Sequence, residues 1–360
     1  FQMSSPLTPV SAAPSVTFDK CPGAKTLTYP DGEEFMRMLT SHPTTLFPLL
    51  IISTFVYLFV AYLGITVLRA ASHIKDEQIR SDVYQCLSTP IVVVSICLYG
   101  MFYPRSTPGM STISLAYVMF SLWRSVTLLF RMYGDVENMS ELMHQTNTLL
   151  PLHSIPLCCF PCLPSVEPSV VNIETLKFFV LQSPVVRMVV VVVMNQIRAE
   201  GYCETTTITR ILSWIGLAST LIAVYSSAIF VKMSNDHIVR YRLDTLIRCT
   251  NLTQALYNLL RFAVDSAALN HAVFVDTPFD DGSVLEARVK ADFWYNALLI
   301  LILVPISLSL SANIKPGVSA LFDIEPSPLA GSASKRPILE ARQPDYSSIT
   351  QCEDEESRLM

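Results

Sequence analysis

The chain has 360 residues, of which 51% are hydrophobic and only 15% are charged, and its formal net charge at pH 7 is −5. Soluble domains have about 25% charged residues, so this composition argues against a water-soluble protein of this length. The mildly acidic balance gives no support to nucleic-acid binding. The composition therefore indicates a membrane protein.

Seven stretches are apolar and long enough to cross a membrane as helices. A helix needs about 20 apolar residues to cross a hydrocarbon core of ~30 Å. In chain order, the predicted spans are 46–68, 87–104, 110–130, 178–197, 211–231, 253–275 and 293–312. We therefore predict an all-α, multi-pass membrane fold with seven transmembrane helices, which together form a domain over residues 46–312.

The sixth stretch, 253–275, is the most polar of the seven. It contains Asn258, Arg261 and Asp265 within a few turns. Polar residues inside a span tend to face other helices or a cavity, whereas the same pattern in a shorter or surface helix would face water. The sequence leaves both interpretations open, and the count of seven adopts the first.

The loops predict an orientation with the N-terminus outside the cell and the C-terminus in the cytoplasm. With that orientation, nine Lys and Arg residues fall in cytoplasmic loops and five in outer loops, in the direction of the positive-inside rule. Residues 1–45 then form an extracellular segment, 131–177 a cysteine-rich cytoplasmic loop, and 313–360 a cytoplasmic tail. The tail is rich in Pro, Ser and charge, which is typical of disorder. The expected location is the cell membrane.

Two glycosylation sequons test this orientation. They begin at Asn138 and Asn251, and both fall on the predicted cytoplasmic side. Because N-glycans are added in secreted or extracellular regions, we expect neither asparagine to carry one.

Three cysteines cluster in the stretch PLCCFPCLP of the cytoplasmic loop, at Cys158, Cys159 and Cys162. A reducing compartment disfavours disulfides, and a CxxC pair supplies only two of the four ligands of a structural zinc site. Cysteines beside a membrane among Leu, Phe and Pro suit reversible S-palmitoylation, with unmodified interfacial cysteines as the alternative. We predict acylation of this cluster, and no metal or cofactor site.

Two other cysteines, Cys21 and Cys203, are predicted to lie outside the cell. An oxidising environment permits a disulfide there. Such a bond would link the N-terminal segment to the connection between the fourth and fifth spans.

Charged residues inside the spans mark candidate binding groups, because an unpaired charge is costly within a membrane. Arg187 lies ten residues from Lys177 and eleven from Arg198. At 1.5 Å per residue it is ~15 Å from either end of its helix, too deep to reach the membrane surface easily. Pro184 and Gln182 lie close by, and the proline would free a backbone carbonyl that could line a cavity.

The other interior charges have simpler alternatives. Arg124 is near enough to the inner face to extend towards it. Arg261 and Asp265 are four residues apart and can form an intrahelical ion pair. Counted over the predicted spans, three arginines face one acid, which leaves positive charge that an organic anion could neutralise, since arginine binds carboxylate or sulfate bidentately. Bonds from these arginines to backbone carbonyls or lipid phosphates are the alternative.

We therefore predict an amphipathic organic anion as the substrate. The predicted substrate-binding residues are Arg187, Gln182, Arg124, Arg261 and Asp265.

Several stretches, in order, resemble the organic solute transporter alpha family. They are TPIVVVSICLYGMFYPRS (89–106), the following MSTISLAYVMFSLW, the cluster CCFPCLP and the stretch TLKFFVLQSPVVRMVVVVV. The resemblance covers roughly residues 46–312. One departure is Arg131, which stands where the family tends to place an acid.

The resemblance implies a seven-span transporter of bile acids, steroid conjugates and related anions, with its N-terminus outside. It implies transport by facilitated diffusion or exchange, a lipidated cysteine loop and a single-span beta subunit as partner. Membrane lipids and further copies of the chain are the other expected partners.

Two other function classes fit the same layout. A seven-helix receptor would share the orientation, but the third span ends in RMYGD rather than a DRY-type triplet and the seventh lacks an NPxxY-type turn. A membrane scaffold that affects trafficking would suit the tail and the acylated loop. An enzyme is not expected, because the parts outside the spans show no catalytic triad, phosphate-binding loop or paired-carboxylate site.

Overall fold

The computed structural model describes residues 30–41, 46–146, 148–150, 166–199, 207–269, 277–278, 284–285 and 287–324. Within these ranges the chain forms nine α-helices. They are α1 Gly32–Ser41, α2 Leu46–Ala71, α3 Glu77–Phe102, α4 Thr107–Tyr133, α5 Val136–Gln145, α6 Val170–Ala199, α7 Thr207–Ile238, α8 Leu243–Leu269 and α9 Ala287–Asn313. Between α8 and α9, two antiparallel two-residue strands pair, β1 Thr277–Pro278 and β2 Val284–Leu285. The all-α class is confirmed.

Six of the described helices are long and apolar enough to cross a membrane: α2, α3, α4, α6, α7 and α9. The predicted span 253–275 falls largely on α8, which is not among the six. At 27 residues, α8 is ~40 Å long, so its polar composition and not its length sets it apart.

The helices pack as one bundle with α3 at its centre. Helix α3 contacts α2, α4, α8 and α9, while α6 and α7 form a hairpin that joins the bundle through α4 and α8. Large apolar side chains point outward, as in Phe55, which is 69% exposed, and in Tyr62, Val185 and Trp214. An outward apolar surface of this size is expected where lipid is the solvent.

The helices are longer than the predicted spans, because they continue into polar residues. Helix α3 begins at Glu77, where the side chain of Asp76 caps it by accepting from the backbone N–H of Ile79 at 2.9 Å. The apolar stretch 87–104 therefore missed the first ten residues of the helix. Helix α8 begins at Leu243, ten residues before the predicted span.

The predicted cytoplasmic loop 131–177 contains regular structure in its described parts. It includes α5, and Leu150 and Val166 form a two-way backbone bridge, with N–H to O distances of 2.8 and 3.2 Å. The cysteine cluster between these two residues lies outside the described residues, as do Cys21 and Cys203. The acylation and the disulfide stay predictions.

Candidate functional site

Arg187 lies on the buried stripe of α6. The fully buried residues of this helix repeat at three- and four-residue spacing, the pattern of a helix with one packed face. They are Ile173, Leu176, Val180, Ser183 and Val190. Arg187 falls on this stripe and is half-buried, whereas Val185 and Val189 on the opposite face are exposed. Its guanidinium therefore points towards the other helices.

The guanidinium of Arg187 reaches both α7 and α8. Its Nη2 donates a hydrogen bond to Oδ1 of Asn258 on α8. Its Nη1 lies so close to Gly216 of α7 that a Cβ atom there would collide with it. Its Nε is buried and has no hydrogen-bond partner in the described part of the chain. The absence of a side chain at Gly216 therefore leaves space for the guanidinium between the helices.

The partner of Arg187 is neutral. Asn258 is 2% exposed, and its Nδ2 donates to the backbone oxygen of Gln254 at 2.8 Å, which directs Oδ1 towards the arginine. No carboxylate among the described residues pairs with Arg187. An amide can satisfy one N–H group but cannot cancel the charge, so among the described residues the charge of Arg187 has no counter-ion between α6, α7 and α8.

Arg124, in contrast, has a carboxylate partner. Asp82 of α3 is fully buried, and its two oxygens contact Nη1 of Arg124 at 3.0 Å and Nη1 of Arg131 at 2.5 Å. The guanidinium of Arg124 also lies over the ring of Phe120, 4.9 Å from its centroid. Arg131, the departure from the family pattern, is thus one of two arginines that hold the Asp82 carboxylate.

Arg261 also has carboxylate partners, in a four-residue ion network between α8 and α9. It contacts Asp265 at 3.1 Å, which is the intrahelical pair that the spacing allowed, and Asp292 at 2.8 Å. Arg288 joins the network through Asp265 at 3.1 Å. Two arginines and two aspartates balance in charge.

The charge count made from the predicted spans is therefore wrong for Arg124, and it omitted the second carboxylate partner of Arg261. Their partners Asp82 and Asp292 lie just outside the apolar stretches 87–104 and 293–312, so a count over those stretches omitted them. Arg187 is the interior arginine whose partner in the described structure is uncharged.

Gln182, the remaining predicted binding residue, is half-buried and lies beside the buried stripe of α6. The structure does not test whether it, Arg124, Arg261 or Asp265 binds substrate, and these roles stay predictions.

A small cavity lies near the site, between α3, α4, α8 and α9. Its lining includes Gly100, Ser111, Tyr257, Tyr295 and Asn296. Its volume is about 10 Å³, room for about one water molecule, whereas pockets for organic ligands measure roughly 300–1,000 Å³. An organic ligand therefore does not fit into this cavity as it stands.

The sequence comparisons agree with this architecture. The family described as organic solute transporter Ostalpha matches residues 48–310. The chain belongs to the organic solute transporter alpha family. Three proteins of Caenorhabditis elegans are similar to it. Organic solute transporter alpha-like protein 1 is 28% identical over 76% of this chain and 70% of its own length, and alpha-like proteins 2 and 3 are 25% and 22% identical over 86% and 87% of this chain and 89% of their own lengths. No solved structure matches.

Membership of the organic solute transporter alpha family agrees with the resemblance found in the sequence. It is a family of solute transporters rather than an enzyme class. With six apolar helices, it supports a multi-pass membrane protein that transports an organic solute.

Sequence reasoning missed Asn258 as the partner of Arg187, although Asn258 was noted as polar. A usable signal was the spacing of Gln254 and Asn258, which places two amides on one face of α8. It also missed Gly216, for which the sequence gives no local signal.

We predict that Asp82→Asn destabilises the protein strongly. The substitution removes the charge that holds two partly buried arginines, and losing hydrogen bonds to a charged group in this way costs about 1.5–3 kcal/mol. The measurement is the thermal unfolding temperature of the detergent-purified protein. The control is Asp31→Asn, which removes the partner of Arg105 from an exposed pair at 2.9 Å and should cost at most about 1 kcal/mol. Equal unfolding temperatures for the two variants would contradict a structural role for Asp82.

Proposed function

We propose that this chain is a seven-span carrier that moves amphipathic organic anions across the cell membrane, by facilitated diffusion or exchange. The proposed substrates are bile acids, steroid conjugates or related lipid-like solutes. Arg187 holds the anionic group. The observation that carries the proposal is that this arginine lies between α6, α7 and α8 with a neutral hydrogen-bond partner.

The chemistry of Arg187 suits an organic anion. A guanidinium offers planar, paired N–H donors to a carboxylate, sulfate or sulfonate. Its Nε is buried without a partner, and a bound anion could accept from it. Leaving such a cation without a counter-ion in a membrane is costly. An anion that enters the site would supply the counter-ion, so its binding is favourable.

Helix α6 is also weakened beside the site. Pro184 lies inside the helix, three residues before Arg187. A proline removes one backbone hydrogen bond of the helix and crowds the carbonyl four residues earlier, here Val180. A helix with one missing bond can bend more easily there, which suits a carrier whose helices must separate around a substrate.

The burial of α8 supports a seventh span. Its polar residues Gln254 and Asn258 are 0% and 2% exposed, while its apolar residues Leu252 and Leu259 are 49% and 56% exposed. A helix on a membrane surface would turn its polar face to water. A helix that spans a membrane within a bundle turns its polar face to the other helices and its apolar face to lipid, as α8 does.

The topology gives the first test. With α8 as a seventh span the two termini lie on opposite sides of the membrane, whereas six spans would place them on the same side. We expect an epitope tag at the N-terminus to bind antibody on intact cells, and one at the C-terminus to bind only after permeabilisation. Staining of both tags, or of neither, on intact cells would contradict seven spans; a cytoplasmic marker in the same cells reports leakage. Neither Asn138 nor Asn251 should carry a glycan.

Transport gives the second test. Uptake of a labelled conjugated bile acid or steroid sulfate is measured in cells that express the chain, with and without a beta subunit. We expect Arg187→Ala to lower uptake at least about tenfold, because it removes the charge and the paired donors, worth about 1.5–3 kcal/mol. Arg187→Lys should retain part of the uptake, since it keeps the charge but not the planar geometry. Arg105→Ala, which removes an exposed arginine, is the control at matched surface level.

A further variant tests the same site without touching the arginine. Gly216→Ala should force the guanidinium aside and lower uptake. Gly109→Ala, where an added Cβ meets nothing within 4 Å, should have no effect. Uptake that is equal in the wild type and in both Arg187 variants would remove Arg187 from the pathway. No uptake under any pairing, with the protein present at the surface, would favour the scaffold instead.

A further inference from the structure

Three buried polar groups without hydrogen-bond partners lie one helical turn, along their own helices, from Arg187 or from a residue that Arg187 contacts. They are the hydroxyls of Ser183 on α6 and Ser219 on α7, and the side-chain oxygen of Gln254 on α8. The exposed fractions of these side chains are 0%, 7% and 0%. Buried polar groups are nearly always hydrogen-bonded, so three such groups on adjoining helices require an explanation.

The helical register places all three in one layer. The contacts of Arg187 with Gly216 and Asn258 set the level of α6 against α7 and α8. Ser183 is one turn before Arg187, and Gln254 is one turn before Asn258. Helix α7 follows α6 as the second arm of a hairpin and runs the opposite way, so Ser219, three residues after Gly216, falls on the same side of the arginine. The layer is one helical turn, ~5.4 Å, from Arg187.

These serine hydroxyls do not form the bond that serine and threonine usually form within a helix. Thr220, Thr250 and Thr253 each donate to the backbone oxygen four residues earlier, at 2.8–3.0 Å. Ser183 and Ser219 form no such bond in the described structure. Their hydroxyls therefore remain available as donors.

The donors and the acceptor of this layer match an amide. The two hydroxyls can donate to a carbonyl oxygen, and Gln254 Oε1 can accept from an N–H. Gln254 Nε2 donates to Met119 Sδ at 3.5 Å, which leaves Oε1 as the acceptor without a partner. In an N-acyl taurine, two methylene groups separate the amide from the sulfonate, which places them about one helical turn apart. In an N-acyl glycine a single methylene separates the amide from the carboxylate, which is too short for this layer.

We propose that this layer binds the amide of an amide-conjugated organic anion while Arg187 binds its acid group, an inference that rests on the proposed function. Ser183, Ser219 and Gln254 are then specificity-determining residues. They favour an anion with an amide one helical turn from its charge over an anion of equal length that lacks one.

The test compares two substrates of the same charge and chain length. One is a labelled N-acyl taurine, and the other is an alkanesulfonate of equal length without the amide, both below concentrations that disturb membranes. Uptake is measured with and without a beta subunit, and cells without the chain give the background. We expect the wild type to prefer the N-acyl taurine, with a KM about tenfold lower, from two or three hydrogen bonds. The double variant Ser183→Ala/Ser219→Ala should lose most of this preference.

Two further variants make the result specific. Gln254→Met keeps the size of the side chain and removes the acceptor, and it should also reduce the preference for the amide. Ser53→Ala on α2 is the matched control, because Ser53 is also fully buried with an unpaired hydroxyl but belongs to another helix. It should leave the preference unchanged.

The outcomes separate this inference from the proposed function. Suppose that Arg187→Ala abolishes uptake of both substrates. If the wild type then shows no preference for the N-acyl taurine, or if the serine and glutamine variants retain that preference, the amide layer is wrong and the anion carrier stands. A loss of preference in Ser53→Ala as large as in the double variant would also overturn the amide layer. If uptake does not depend on Arg187, the amide layer falls and Arg187 leaves the pathway, while transport itself stands. If neither substrate is taken up but a conjugated bile acid or steroid sulfate is, the amide layer alone falls. If none of these anions is taken up, both proposals fall.

Discussion

The structure depends on one constraint: a charge inside a membrane needs a partner within the protein, because lipid supplies none. Two of the three interior arginines meet this constraint with carboxylates. Asp82 holds Arg124 and Arg131 at one end of the bundle, and Asp292 and Asp265 hold Arg261 between α8 and α9. These contacts join α3 to α4 and α8 to α9. Arg187 on α6 meets the constraint only in part, through the neutral amide of Asn258, which lies three residues before Arg261 on α8.

The same constraint explains why α8 has its polar residues inside. Helix α8 contacts α4, α7 and α9 along its length, and its amides and hydroxyls make hydrogen bonds that apolar neighbours could not. Tyr257 donates to the backbone oxygen of Ser111 at 2.7 Å, and Asn258 accepts from Arg187. Polar contacts of this kind are directional and can be exchanged for contacts with a substrate, whereas close-packed apolar contacts are lost when helices separate. Under the proposed function, a polar helix that faces the interior of an apolar bundle therefore gives the carrier contacts that can be exchanged.

The sequence predicted the all-α class and the apolar cores of the helices, because these follow from composition, whereas the binding role of Arg187 stays a prediction. The sequence did not predict the helix ends correctly. Asp82 and Asp292 lie beyond the apolar stretches that defined the spans, so Arg124 was taken to lack a carboxylate partner and Arg261 was given Asp265 alone. It also could not find that Asn258 meets Arg187, 71 residues earlier in the chain. That contact depends on how far α6 and α8 are shifted along each other, and the pattern of a single helix carries no information about this shift.

The neutral partner of Arg187 has a consequence for the transport cycle under the proposed function. An empty site carries one positive charge, and a site that holds a monovalent anion is neutral. Moving a charge through a region of low dielectric costs more than moving a neutral pair. The loaded carrier should therefore switch between its outward-facing and inward-facing conformations more easily than the empty one. This favours exchange of one anion for another over net uptake. Unlabelled anion outside the cell should then accelerate the efflux of labelled anion from inside, and efflux rates that do not respond would show that the empty site returns as fast as the loaded one.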